Sequence, residues 1–99
     1  MTVRVALPHH LRTLARVDQD LSLAVAPPVT LCSVLDAVES AYPMLRGTIR
    51  DHQSLKRRPM VRFYAGLQDV SHQDPAAPLP EDIASGAAPL RVIAAISGG

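Results

Sequence analysis

Aromatic residues are nearly absent from this 99-residue chain, which holds one Phe, two Tyr and no Trp. A core of stacked rings is therefore excluded. The 47% hydrophobic content must pack as Val, Leu, Ile, Ala and Met into one aliphatic core, of the size a single compact domain holds. Cysteine is reduced to Cys32 alone; this excludes an internal disulfide and any four-thiolate zinc or iron–sulfur site within one chain, and agrees with a reducing compartment. An excess of either charge is missing too. Ten Lys and Arg against nine Asp and Glu leave a formal charge of +1, short of the field that counterion-releasing nucleic-acid binders need, so no nucleic-acid partner is expected. No apolar run approaches the roughly 20 residues of a membrane span, and the opening MTVRVALP lacks the apolar stretch of a signal peptide. The expectation is a cytoplasmic protein with no membrane association. Gly47, Gly66 and Gly86 are isolated, so there is no glycine-rich phosphate loop and no bound cofactor is expected.

What is present is periodic. Val3, Val5 and Leu7 alternate with Arg4 and Ala6 up to Pro8, the pattern of a strand with one buried face; Leu21, Leu23 and Val25 repeat it before Pro27-Pro28. These two strands are expected to pair as a hairpin, joined by the polar stretch from His9 to Asp20. Thr30 then reads as an N-cap, and Leu31, Val34, Leu35, Val38 and Tyr42 recur at helical spacing, with Asp36, Glu39 and Ser40 off the stripe and Pro43 at the end. Met44 to Pro59 has no clean period and reads as loop with a short helical turn. Val61, Phe63 and Ala65 alternate with Arg62 and Tyr64 as a third strand, and Val70 opens a short return strand. Prolines at 75, 78, 80 and 89 break regular structure, leaving a single turn at Glu81 to Ala84. A last strand through Leu90, Val92, Ile93 and Ile96 runs nearly to the chain end. The order β-β-α-β-(β)-β is that of one α+β layer pair, a helix covering one sheet face.

Three segments carry a family resemblance: VLDAVESAYPMLRGTIRD (Val34 to Asp51), VRFYAGLQDV (Val61 to Val70) and LRVIAAISGG (Leu90 to Gly99). The chain resembles the β-grasp, ubiquitin-like sulfur carriers: the molybdopterin synthase small subunit, the thiamin-pathway carrier and the carrier of a cysteine-synthesis route. The basic insert Leu55 to Pro59 is most similar to that of the longer, cysteine-synthesis type. Ser85-Gly86-Ala87-Ala88 stands where the family usually has an acidic turn, and Ala94 where it often has a proline. The resemblance implies a β-grasp domain over residues 1–95, with a mixed sheet of four to five strands and one main helix on one face, and a flexible tail over residues 96–99. It also implies that Gly99 is adenylated by an E1-like adenylating and sulfurtransferase enzyme, using that partner's ATP and Mg, and becomes a thiocarboxylate. A sulfur-accepting synthase is the second implied partner; the chain itself is a carrier, not an enzyme, and is monomeric when free.

A Gly-Gly end suits this chemistry. Without Cβ atoms, Gly98 and Gly99 can thread a narrow channel, and the four residues Ile96, Ser97, Gly98 and Gly99 reach about 13 Å when extended. Two terminal glycines occur by chance at about 0.5% from average usage, so their place directly after a final strand, more than the dipeptide itself, carries the reading. Two alternatives use the same residues differently: a ubiquitin-like modifier joined to target lysines through Gly99, or a non-catalytic β-grasp binding module with an incidental tail.

The remaining candidates are weaker. Arg62, Tyr64 and Arg91 are expected on the outer sheet face as a partner interface. Arg50, Lys56, Arg57, Arg58 and Arg62 form the densest basic stretch, by default a solvated loop, with docking to an acidic partner as the functional alternative. Cys32 reads as a partly buried helix residue. His9 and His10, adjacent and so on opposite faces of an extended chain, complete no metal site; His52 and His72 stand alone, and no metal is expected.

Overall fold

The computed structural model describes residues 1–95. Its elements are β1 (Thr2–Ala6), α1 (His9–Ala15), β2 (Leu21–Ala24), α2 (Leu31–Ala41), a 3₁₀ turn (Pro43–Leu45), β3 (Val61–Ala65), β4 (Gln68–Asp69), α3 (Glu81–Ala84) and β5 (Leu90–Ala94). The N-terminal hairpin forms as its alternation predicts, with Val3 opposite Leu23 and Val5 opposite Leu21. β5 then enters between the two halves of the chain. It runs parallel to β1, Val5 opposite Leu90, and antiparallel to β3, Phe63 opposite Val92. The result is a mixed five-stranded sheet in the order β2-β1-β5-β3-β4.

The main helix forms where its stripe and cap place it. The Thr30 hydroxyl accepts from the Ser33 amide at 3.0 Å, and the Ser33 hydroxyl accepts from the Thr30 amide at 2.9 Å, so a reciprocal capping box fixes the start of α2. Pro43 opens the 3₁₀ turn that follows. Leu31, Val34, Leu35 and Val38 turn inward, and Ile83 of α3 joins them against Val3, Val5, Phe63, Leu90 and Val92 of the sheet. Burial of each large side chain in this set contributes about 1.5–3 kcal/mol, which is the main force holding the helices on one face.

Two segments depart from the expectations. The stretch from His9 to Asp20 is not simply a connection, because His9–Ala15 forms α1. No side chain caps it; the Pro8 carbonyl accepts from the Leu11 and Arg12 amides at 3.1 and 3.0 Å, and Arg16 closes it in the left-handed conformation at φ 59°. Only Leu11 and Ala15 are buried along it, too short a stripe to register as a period, and a helix of this length depends on tertiary packing. His9 and His10 therefore sit in a first helical turn rather than in extended chain. The second departure is the polar segment after α2, where Leu45, Ile49 and Arg50 are all buried. The return strand β4 falls at Gln68–Asp69, just before Val70, whose amide donates to the Phe63 carbonyl at 2.8 Å.

Candidate functional site

The strand that leads to the chain end lies at the centre of the sheet. Leu90 and Val92 point into the core, while Arg91 and Ile93 point outward. Its register closes with Ala94 opposite Val61, and the Ala95 amide donates to the Met60 carbonyl at 3.1 Å. The chain thus leaves the sheet beside the first residue of β3 and the end of the basic loop. Ile96, Ser97, Gly98 and Gly99, the tail on which the sequence reading turned, lie outside the described residues.

Upstream, β5 is anchored by its entry turn. Arg4, outward on β1, donates from Nε to the Gly86 carbonyl at 2.8 Å and from Nη2 to the Ala87 carbonyl at 3.1 Å. Gly86 has φ +81°, and a Cβ there would stand 2.5 Å from the Thr2 carbonyl oxygen. Ser85 to Ala88 is a turn bound by an arginine and pressed against the backbone of β1.

The outward face of β3 and β5 brings together the residues the alternation points to. Tyr64 lies opposite Arg91, and Arg62 opposite Ile93. Side chains directly opposite in an antiparallel pair share a face, so these four form one patch: two guanidinium groups, one half-buried Tyr and one Ile that is 45% exposed. Arg62 also donates to Asp69 Oδ2 at 3.2 Å. Hydrogen bonds from Ser71, assisted by Arg62, hold the Asp69 carboxyl below its ordinary range.

Arg50 does not belong with the solvated basic residues. It is 3% exposed, its Nε donates to Glu39 Oε2 at 2.9 Å, and its Nη2 donates to Glu39 Oε1 and to Asp36 Oδ1. Burial by itself lowers the basicity of this guanidinium, but the hydrogen bonds to Glu39 and Asp36 outweigh it and the net direction is upward. The ion pair ties the long loop to α2. Its partners are 11 and 14 residues away, a separation with no periodic signature, which is why Glu39 reads in sequence as a solvent-facing position. The same loop leads to Met60, where β5 makes its last described contact. Cys32 is half-buried at the start of α2, its Sγ 3.9 Å from Asp36 Oδ2 and 3.9 Å from Arg50 Nη1. Among the described residues no group of three or more His, Cys, Asp or Glu could hold a metal ion.

No protein-family model matches the chain, and no curated protein matches it in sequence. Solved structures do match in shape. SAMP1 from Haloferax volcanii aligns at a TM-score of 0.76 with 16% identity, covering 100% of both chains. A chain of the Amycolatopsis orientalis BexX/CysO complex aligns at 0.73 with 21% identity, over 98% of this chain and 99% of that one. The small archaeal modifier protein 1 (SAMP1) from Methanosarcina acetivorans aligns at 0.71 with 20% identity, over 99% and 96%. These likenesses and the strand order define the class: the protein has the β-grasp, ubiquitin-like fold. Within that class its particular form is a five-stranded sheet with α2 as its main helix and a shorter helix, α1, between the first two strands.

Proposed function

We propose that this protein is a sulfur carrier whose C-terminal Gly99 is adenylated by an E1-like partner and converted to a thiocarboxylate for a biosynthetic acceptor. The observation that carries this reading is the position of Ile96-Ser97-Gly98-Gly99 immediately after a central strand pinned to Met60 by its last described amide. A β-grasp body of the same extent as SAMP1 and the BexX/CysO chain supports it. In the activating step a Gly99 carboxylate oxygen attacks the α-phosphorus of ATP and pyrophosphate leaves. Sulfide supplied by the partner then attacks the Gly99 carbonyl carbon, forming the C–S bond as the C–O bond to AMP breaks and AMP leaves. The partner supplies the nucleotide and magnesium chemistry, and this chain supplies a narrow carboxylate end and a docking face. Arg62, Tyr64, Arg91 and Ile93 are the proposed face, since exposed Arg and aromatic side chains on a rigid sheet suit an interface core.

The test is incubation with ATP, Mg, an E1-like enzyme and a sulfur donor, followed by intact mass measurement. A species with sulfur in place of one oxygen at Gly99 is expected; its absence with several activating enzymes that remain competent on their own carriers refutes the reading. The description of one structural neighbour as a modifier protein favours a second reading, isopeptide conjugation through Gly99. Covalent ladders on denaturing gels that depend on Gly99 distinguish it.

A further inference from the structure

A cleft of about 530 Å³ opens between the start of α2, the loop around residues 50–57 and the segment after β4, within the range of small-ligand sites. Arg50, Lys56 and Arg57 line it, and neither Asp nor Glu does. The neighbouring carboxylates are engaged elsewhere. Asp36 and Glu39 hold Arg50, Asp51 Oδ1 accepts from the Gln53 and Ser54 amides at 2.9 and 2.8 Å, and Asp74 Oδ1 accepts from the Ala76 amide at 2.9 Å. Arg50 is thereby more than balanced from within the protein, one guanidinium against two carboxylates. Arg57 commits Nη1 to the Val61 carbonyl at 2.7 Å, and exposed Lys56 has no ion-pair partner among the described residues.

Leu55 gives the cleft an apolar wall. Its backbone is left-handed at φ 60°, a region disfavoured for a residue with a bulky side chain. The strain buries nothing: Leu55 remains 46% exposed on the wall of the cleft. The left-handed residue closes the turn in which the Leu55 amide donates to the Asp51 carbonyl and the Asp51 amide to the Lys56 carbonyl, both at 2.8 Å, and the turn leaves this apolar side chain beside Lys56 and Arg57 on the cleft wall.

We infer that this cleft binds a small organic carboxylate, its charge received by Lys56 and Arg57 and its apolar body by Leu55. Lys56 offers its ammonium and Arg57 its remaining N–H groups, donors that suit the two oxygens of a carboxylate, and the apolar wall suits an organic body. The inference does not depend on activation of Gly99. A free organic acid and the carboxylate end of a peptide, such as the C-terminus of a second copy, both carry this chemistry.

The experiment titrates the ¹⁵N-labelled full chain with 4-methylpentanoate and, separately, with a synthetic Ala94–Gly99 peptide bearing a free carboxylate, with the amidated form of each as control. Saturable shifts of the amides at 54–57 are expected with at least one acid and with neither amide, at millimolar affinity, of order 4 kcal/mol; whichever acid binds identifies the source. Lys56→Gln weakens binding roughly two- to fivefold, as the loss of one exposed ion pair does. Leu55→Gly weakens it while thermal stability holds or rises, because glycine relieves the backbone. No saturation with either acid up to about 50 mM, equal binding of the amides, shifts centred on β3 and β5, or wild-type affinity in both variants would each overturn the inference.

Discussion

At the scale of single residues, Arg50 has the largest energetic reach. Glu39→Ala leaves the buried guanidinium only the exposed carboxylate of Asp36, and is expected to destabilise the protein by up to about 3–5 kcal/mol, the cost of a fully stranded charge. The Asp36 side chain is 61% exposed; Asp36→Ala falls below about 1 kcal/mol, as exposed pairs do. Denaturant unfolding of the two variants measures the difference, and equal effects would contradict the assignment of Glu39 as the buried partner. Gly86→Ala meets both a left-handed backbone and the Thr2 carbonyl. A loss of about 2–3 kcal/mol is expected, beyond the 1–2 kcal/mol of the conformation alone. Asp51 and Asp69 add a pH dependence. Hydrogen bonds from Ser54 and Gln53 lower the first, and those from Ser71 with Arg62 lower the second, from an ordinary value of 3.8. A carboxyl depressed by folding contributes stability that is complete above its unfolded value and lost as pH falls through the folded one. Asp69→Asn should therefore flatten the fall in the unfolding midpoint as pH drops through and below the ordinary value of 3.8, and an unchanged acid limb would show that Asp69 contributes nothing there.

At the scale of elements, the interface proposal belongs to the outer face of β3 and β5. Arg62→Glu with Arg91→Glu reverses its charge without touching the core, because both side chains are exposed. Thermal stability should change little, while the rate of Gly99 activation should fall by roughly tenfold or more and become less salt-dependent. Activation at the wild-type rate would assign partner docking to another surface. The elements themselves differ in how far they could be read. β3 and the β1–β2 hairpin were legible because strict alternation over four or five residues leaves one interpretation of which face is buried; β5 was legible as a strand, but its adjacent Val92 and Ile93 left the facing open, and the structure turns Ile93 outward. α2 was legible because a cap, the stripe Leu31, Val34, Leu35, Val38 and Tyr42, and Pro43 agree, although Tyr42 is the residue that closes the helix and not part of it. α1 was not: Pro8 offers no capping side chain, and two buried residues make no period. The segment from Met44 to Pro59 concealed Leu45, Ile49 and Arg50 because its burial follows from crossing over α2 rather than from any repeat.

At the scale of the whole molecule, the body and the tail are proposed to have separate duties. Deleting Gly98 and Gly99 should leave the unfolding midpoint within experimental error and abolish thiocarboxylate formation; a truncated chain that forms no thiocarboxylate yet keeps its function in the cell would favour the binding-module alternative. The amino-acid sequence by itself determined which residues alternate, where α2 begins and ends, and that a thin Ile-Ser-Gly-Gly end follows the last strand, since these depend on side chains near one another along the chain. Only the tertiary structure decided that β5 lies parallel to β1 and antiparallel to β3, that Arg50 is buried against Glu39, and that Arg4 clamps the turn at Gly86. Each of those joins residues from 11 to more than 80 positions apart. They are set by which apolar faces must close on one core, and no local spacing records that requirement.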